Sequence, residues 1–161
     1  MDWKPMLATP IPAPFDSPTY AFEVKWDGIR CLSRLENGRA RFFSRTGRDI
    51  TNQFPELQDI GQAVNLRSAV LDGEICVFEA GAPSFHRVQR RNLLTSAAAI
   101  QRAAETYPAV YVVFDLLHTG GRDLLSVPWQ ARRAALESAW QGDTDHTALS
   151  RAVLARGRDL Y

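Results

Sequence analysis

Lysine is almost missing from this chain. Of its 19 basic residues only Lys4 and Lys25 are lysines; the rest are arginines. Wherever a plain positive charge would do, the chain writes arginine, which is effectively never deprotonated and cannot act as a nucleophile. A lysine can, once its surroundings favour the free amine. Cysteine is scarce too. Cys31 and Cys76 sit in apolar, strand-like runs, which argues against a disulfide framework or a zinc centre and for buried free thiols. The three histidines, His86, His118 and His146, lie scattered without metal-ligand spacing. No apolar run reaches the length of a membrane span, and the N-terminus lacks the charged-then-apolar layout of a secretion signal, so a cytoplasmic location is expected. Neither sign of charge dominates: the net charge is +1, which argues neither for nor against nucleic acid.

At 161 residues with 45% hydrophobic content, one domain with a real core is expected. Residues 1–19 carry Pro5, Pro10, Pro12, Pro14 and Pro18 and read as an extended segment over the surface. Residues 20–26 and 29–35 read as strands, Asn37-Gly38 as a tight turn and 40–45 as the returning strand. A helix near 53–63, capped by Thr51 or Asn52, follows, then a long strand over Ser68–Phe78. Residues 84–91, with Phe85 and Val88 inward, and Ser96–Thr106 read as helices. Ala109–Leu117 is nearly all apolar and suits a buried strand, and Pro128 opens a helix through about Gln141. The tail from Thr147 has helical periodicity. The pattern is α+β: antiparallel sheets with helices between and over them.

Glu23-Val24-Lys25-Trp26-Asp27-Gly28-Ile29-Arg30 organises the rest. Alternation along a strand puts Tyr20, Phe22, Val24 and Trp26 on one, core-like face and Glu23, Lys25 and Asp27 on the other. A reference lysine sits about three units above neutral pH, roughly 4 kcal/mol against the reactive amine. A part-apolar pocket, with a cation arriving beside the amine, would supply much of that. Alone, Lys25 reads more readily as a solvated edge charge. The whole pattern Lys-x-Asp-Gly-x-Arg matches by chance on the order of once in a thousand chains of this length.

Three further constellations follow. Arg45, in Ser44-Arg45-Thr46-Gly47-Arg48, leaves a strand end near Lys25 and suits a phosphate or ribose. Asp72 and Glu74 share a face of an apolar strand. They need a cation or a hydroxyl opposite: a ribose, a magnesium ion, or an internal arginine such as Arg30 or Arg45. Phe114 ends a buried strand, where it is either core or a platform for a flat base, and Asp115 beside it needs a partner. Arg39, Arg41 and Arg48, or Arg87, Arg90 and Arg91, offer a phosphate-binding surface or a merely solvated face.

In order and content these motifs resemble the nucleotidyltransferase domain of ATP-dependent DNA ligases. Pro5-Met6-Leu7-Ala8, Phe54-Pro55-Glu56-Leu57 and Gly121-Arg122-Asp123-Leu124 extend the likeness to bacterial ligases that act with Ku in double-strand break repair, namely ligase D and its stand-alone relatives. The resemblance implies an adenylation domain of ATP-grasp-like type in which Lys25 attacks the α-phosphate of ATP to form lysyl-AMP. Glu23 would lie near the adenine and Phe114 would stack on it. Arg30 and Arg45 would meet ribose or phosphates. Glu74 would hold the ribose or, with Asp27, the metal. Asp27 and Asp72 would support the site. Magnesium, or manganese in its place, would be the metal, and nicked or broken duplex DNA the substrate. In the tail it implies a strand near 147–152 and a helix start near 158.

The family continues with Glu-Gly and Lys-x-Lys motifs and an OB-fold domain. None is found here, and no lysine follows Lys25. Residues 1–161 are therefore expected to be a partial adenylation domain, with weak or absent self-adenylation, no nick sealing, and self-association through an open edge. Two other readings stand: a non-catalytic nucleotide- or DNA-binding remnant, and a relative acting on RNA ends or forming GMP caps.

Overall fold

The computed structural model describes residues 3–160. The Asn-Gly turn does what its backbone freedom allows. Asn37 and Gly38 take φ of 50° and 79°, which closes β2 (Ile29–Glu36) onto β3 (Arg39–Ser44) with Glu36 opposite Arg39. The other edge of β2 pairs antiparallel with β4 (Ser68–Glu79), and β4 with β6 (Ala109–Thr119). Short pieces complete the sheet: β5 (Ala82–Pro83) on β4, and β7 (Arg122–Asp123) and β8 (Thr147–Leu149) on β6. The pairing of β8 with β6 is parallel. A separate two-stranded ribbon joins β1 (Ser17–Glu23) to β9 (Ala152–Ala155).

One face of the large sheet is apolar. Cys31, Leu35, Phe42, Leu71, Ile75, Val77, Tyr111 and Val113 are buried there. Over them lie α1 (Ile60–Ala63), α2 (Phe85–Asn92), α3 (Ala97–Thr106) and α4 (Trp129–Ala139), which contribute residues such as Ile60, Val88, Ile100 and Leu136. Tyr111 is fully buried, stands edge-on to Phe42 and donates toward the carbonyls of Cys31 and Leu71. The opposite face carries Arg30, Asp72 and Glu74, and a small cluster of Leu32, Val70 and Leu117 capped by Trp3. The extended segment before β1 thus runs along this second face.

Two bulges interrupt β6. Its register with β4 slips by one residue between Asp72 and Gly73 and again between Val70 and Leu71. The extra residues are Phe114 and Leu117. At a bulge two residues oppose one, so the pairs Phe114–Asp115 and Leu117–His118 share the second face, while Leu116 between them goes to the core.

Several expectations change. The strand expected over 20–26 stops at Glu23, and Val24–Asp27 is a loop. Its supposed core face is not one: Tyr20 is 56% and Val24 44% exposed, because the ribbon packs apart from the main sheet. The helix expected over 53–63 is two 3-10 turns, Thr51–Gln53 and Pro55–Asp59, ahead of a single turn of α-helix. Pro55 breaks the first of these. Thr51 caps no helix; its hydroxyl accepts the Phe42 N–H and donates to Asp49. Val88 is buried as expected, but Phe85 is 45% exposed. In the tail the helical periodicity is not realised, whereas the strand near 147–152 and the helical start near 158 that the resemblance implies are met by β8 and by a 3-10 turn over Arg158–Leu160, with β9 between them.

Candidate active site

The second face of the sheet, the Val24–Asp27 loop and the extended leader enclose a cleft of about 340 Å³. Glu23, Lys25, Arg30, Arg45, Glu74 and Phe114 all line it, together with Val24, Trp26 and, from the leader, Leu7 and Ala8. Six side chains from four stretches of sequence therefore converge on one place. Lys25 is exposed, on the loop rather than on a strand, and is not buried in an apolar pocket. Asp27 is exposed on the same loop but does not line the cleft.

Gly28 seats the loop. A Cβ there would stand 2.2 Å from the Ile75 carbonyl oxygen on β4, a backbone atom that cannot swing aside. Gly28→Ala should cost about 1–3 kcal/mol, lowering Tm by roughly 2–12 °C for a chain of this size. Thermal unfolding checks this, and an unchanged Tm would contradict the close approach.

Arg30 stands opposite Glu74 in register but pairs diagonally with Asp72, with Nε to Oδ1 at 2.7 Å and Nη2 to Oδ2 at 2.8 Å. Its guanidinium also lies 4.5 Å from the centroid of the Phe114 ring. The internal ion pair weighed for Asp72 is thus present, and Asp72 reaches the cleft only through Arg30. Burial pushes the Asp72 carboxyl up, against the pull of Arg30. Burial also works against the Arg30 charge, but the Asp72 carboxylate more than offsets it and holds that guanidinium above its ordinary range. Asp115 finds its partner in Arg132 of α4, with Nη2 to Oδ2 at 2.6 Å.

Glu23 and Glu74 carry the largest carboxylate shifts. Both are pushed up to about 7, first of all by burial; Arg133 and Ser150 pull Glu23 back, and Arg30 and Lys25 pull Glu74 back. Unfolded, each would release its proton near 4.5. The folded chain therefore holds protons that the unfolded chain gives up between about pH 4.5 and 7, so this contribution to stability falls as pH rises through that window and is level above it. Glu74→Gln removes its share. Its Tm should gain on that of the wild type from pH 4.5 to 7, and a constant difference across the window would overturn the assignment.

No group of three or more His, Cys, Asp or Glu that could hold a metal stands together among the described residues. Cys76 is no nucleophile, since burial pushes its thiol up to about 12. A second hollow, about 350 Å³, lies between α2 and α3 beside Arg87, Arg90, Arg91 and Arg102. Arg91 is buried against Glu56 and Arg87 pairs with Glu79, so two arginines of the expected phosphate-binding surface are already committed.

The motif reading missed three residues. Ser150 and Arg133 contact Glu23 and its loop, and Arg132 holds Asp115. Arg132-Arg133 offered a signal, two adjacent cations on a helix after a proline; Ser150 offered none.

A family model described as ATP dependent DNA ligase domain matches residues 5–158. The multifunctional non-homologous end joining DNA repair protein LigD of Mycobacterium tuberculosis is 38% identical over 136 residues, 83% of this chain and 16% of that protein. DNA ligase C of the same organism is 32% identical over 157 residues, 98% of this chain and 43% of the relative. The solved structure of mycobacterial DNA ligase D complexed with ATP and MES aligns with a TM-score of 0.75 at 30% identity, covering 98% of this chain and 48% of that one. The chain spans less than half the length of each of these relatives. Matched along nearly its whole length by the family model, and sharing the fold of a ligase adenylation domain, this chain belongs to the ATP-dependent DNA ligase domain family.

Proposed function

We propose that the cleft binds ATP and that Lys25 takes AMP from it, as the first step of sealing nicked duplex DNA in repair. The observation that carries this is the company Lys25 keeps: one lysine among two carboxylates, two arginines and an aromatic ring in a single cleft. The amine attacks the α-phosphorus. A P–N bond forms, the P–O bond to the β-phosphate breaks, and pyrophosphate leaves. Such transfer needs in-line placement and charge neutralisation more than covalent help.

Arg45 and the Nη1 end of Arg30, which makes no hydrogen bond among the described residues, meet phosphate or ribose oxygens. Glu74 meets the ribose or the metal, and Glu23 lies toward the adenine. A base stacked on Phe114 shares that ring with Arg30. Glu74 lines the cleft and Asp27 stands on the loop that carries Lys25, and these are the two carboxylates this reading gives to the ion. Magnesium favours few protein carboxylates with phosphate oxygens and would neutralise phosphate charge when bound. Since no lysine follows Lys25, self-adenylation by this chain alone is weak. The exposed Tyr20 and Leu154 of the β1–β9 ribbon, with Val24 just beyond it, support self-association, and a Ku-type end-binding partner belongs to the same reading.

The test is incubation with α-labelled ATP and magnesium, followed by a denaturing gel. A covalent adduct supports the proposal. ATP retained without an adduct favours the second reading, a nucleotide-binding domain that keeps the pocket but not the chemistry, which the exposure of Lys25 favours. Labelling by GTP in preference to ATP would point to the capping relatives.

A further inference from the structure

The loop that carries Lys25 has no strand partner. β1 ends with Glu23 opposite Ala152, and β2 begins with Ile29 opposite Ile75. What places the five residues between them is side chains from further along the chain. The Trp26 indole Nε1 donates to Ser150 Oγ at 3.1 Å, and Ser150 Oγ lies 3.5 Å from Glu23 Oε2 as donor. Ser150 is fully buried, and its backbone N–H donates to the Val113 carbonyl at 2.8 Å, one residue before Phe114. Arg133, 6% exposed, reaches the same place from α4. Its Nη1 donates to Glu23 Oε1 at 3.3 Å, Nη2 to the Ser150 carbonyl at 2.6 Å and Nε to Glu137 at 2.6 Å.

We propose that Ser150 and Arg133 are positioning residues that clamp the Lys25 loop over the cleft, Ser150 through Trp26 on one side of the lysine and Arg133 through Glu23 on the other. Apolar side chains would fill this space with less desolvation. What a polar set adds is direction, because hydrogen bonds fix the orientation that packing alone leaves loose. Ser150 follows β8 and is bonded to β6, Arg133 sits on the three-turn α4, and both meet the loop within two residues of Lys25. The same contacts tie the loop to the strand that carries Phe114, so nucleophile and ring are set relative to each other. The role in transfer rests on the reading of Lys25 as the AMP acceptor; the clamp itself does not.

The test uses the whole chain and reads the clamp directly. In a ¹H–¹⁵N spectrum the Trp26 indole signal is identified by its loss in Trp26→Phe. In Ser150→Ala it should move, and its exchange with solvent should rise by about tenfold or more. Val88→Ala, a core change on the far face of the sheet, should leave it in place even with an equal or larger fall in Tm. Labelling of Lys25 at saturating ATP should slow by about tenfold or more in Ser150→Ala, with the Kd for ATP changed less than about threefold. Arg133→Lys, which keeps the charge but not the fork, should slow labelling as well. If Ser150→Ala does not fold, Trp26→Phe and Arg133→Lys carry the same test. An unmoved indole signal in folded Ser150→Ala, or full-rate labelling in folded Trp26→Phe and Arg133→Lys, overturns the clamp. A wild-type chain that takes no label overturns the transfer reading instead, and the indole signal still decides the clamp.

Discussion

Lys25→Arg should abolish covalent labelling by α-labelled ATP while leaving ATP binding within about threefold of wild type. Arginine keeps the positive charge beside Glu74 but cannot surrender a proton to become the attacking nitrogen. Loss of a nucleophile commonly costs on the order of a thousandfold or more in rate, so even a slow wild-type reaction should fall below detection. The chain's arginine habit makes the comparison clean. The only other lysine, Lys4, is exposed and does not line the cleft, and Lys4→Arg should label like the wild type. A gel band that survives Lys25→Arg would remove this residue from the chemistry, and mapping the labelled peptide would show what replaces it.

The second large effect is on stability. Arg91 and Glu56 are 3% and 7% exposed at their side chains. Arg91 also donates to the carbonyls of Tyr107 and Gln53, each at 3.0 Å, and Glu56 accepts the Ala109 N–H at 2.9 Å. One ion pair thus joins the 3-10 turns, α2, the end of α3 and the start of β6. Glu56→Ala leaves a buried guanidinium without its counter-charge and should cost about 3–5 kcal/mol, roughly 10 °C or more in Tm. The exposed pair Arg34–Glu36 should by contrast yield under about 1 kcal/mol when broken. Replacing both partners, Arg91→Met with Glu56→Leu, should recover much but not all of the loss, because the Ala109 N–H keeps no acceptor. If Glu56→Ala unfolds at the wild-type temperature, the pair is not the tie described.

The hairpin, the long strands and the later helices were legible because each obeys one period or one turn rule. Asn37-Gly38 is a turn on its own backbone preferences, and Pro128 caps α4 where a helix start was expected. The motif residues were legible as a set. What was not legible depends on partners distant in sequence. Alternation gave Tyr20 and Val24 a core that β1, paired only with β9, does not share. Pro55 and the neighbouring tertiary contacts turned a periodic segment into 3-10 turns. Asp72 was seen to need a cation, but nothing local chose between Arg30 and a ligand. Ser150 lies 127 positions from Glu23, and a lone serine in a sequence carries no sign of what it will hold.

The paired bulges of β6 have a consequence for how this surface can vary. An ordinary strand offers a given side every second residue. From Phe114 to His118, four of the five residues lie on the face opposite the apolar core, and Leu116 is the one that enters the core. The two slips add to two residues, one full pleat, so the alternation of faces that holds up to Val113 resumes after His118. The strand behaves like a text with a frameshift opened and closed within a few letters. Inside that window one side of the sheet receives four side chains from five residues where an even alternation would give about half, and Phe114, which lines the cleft, is the first of them.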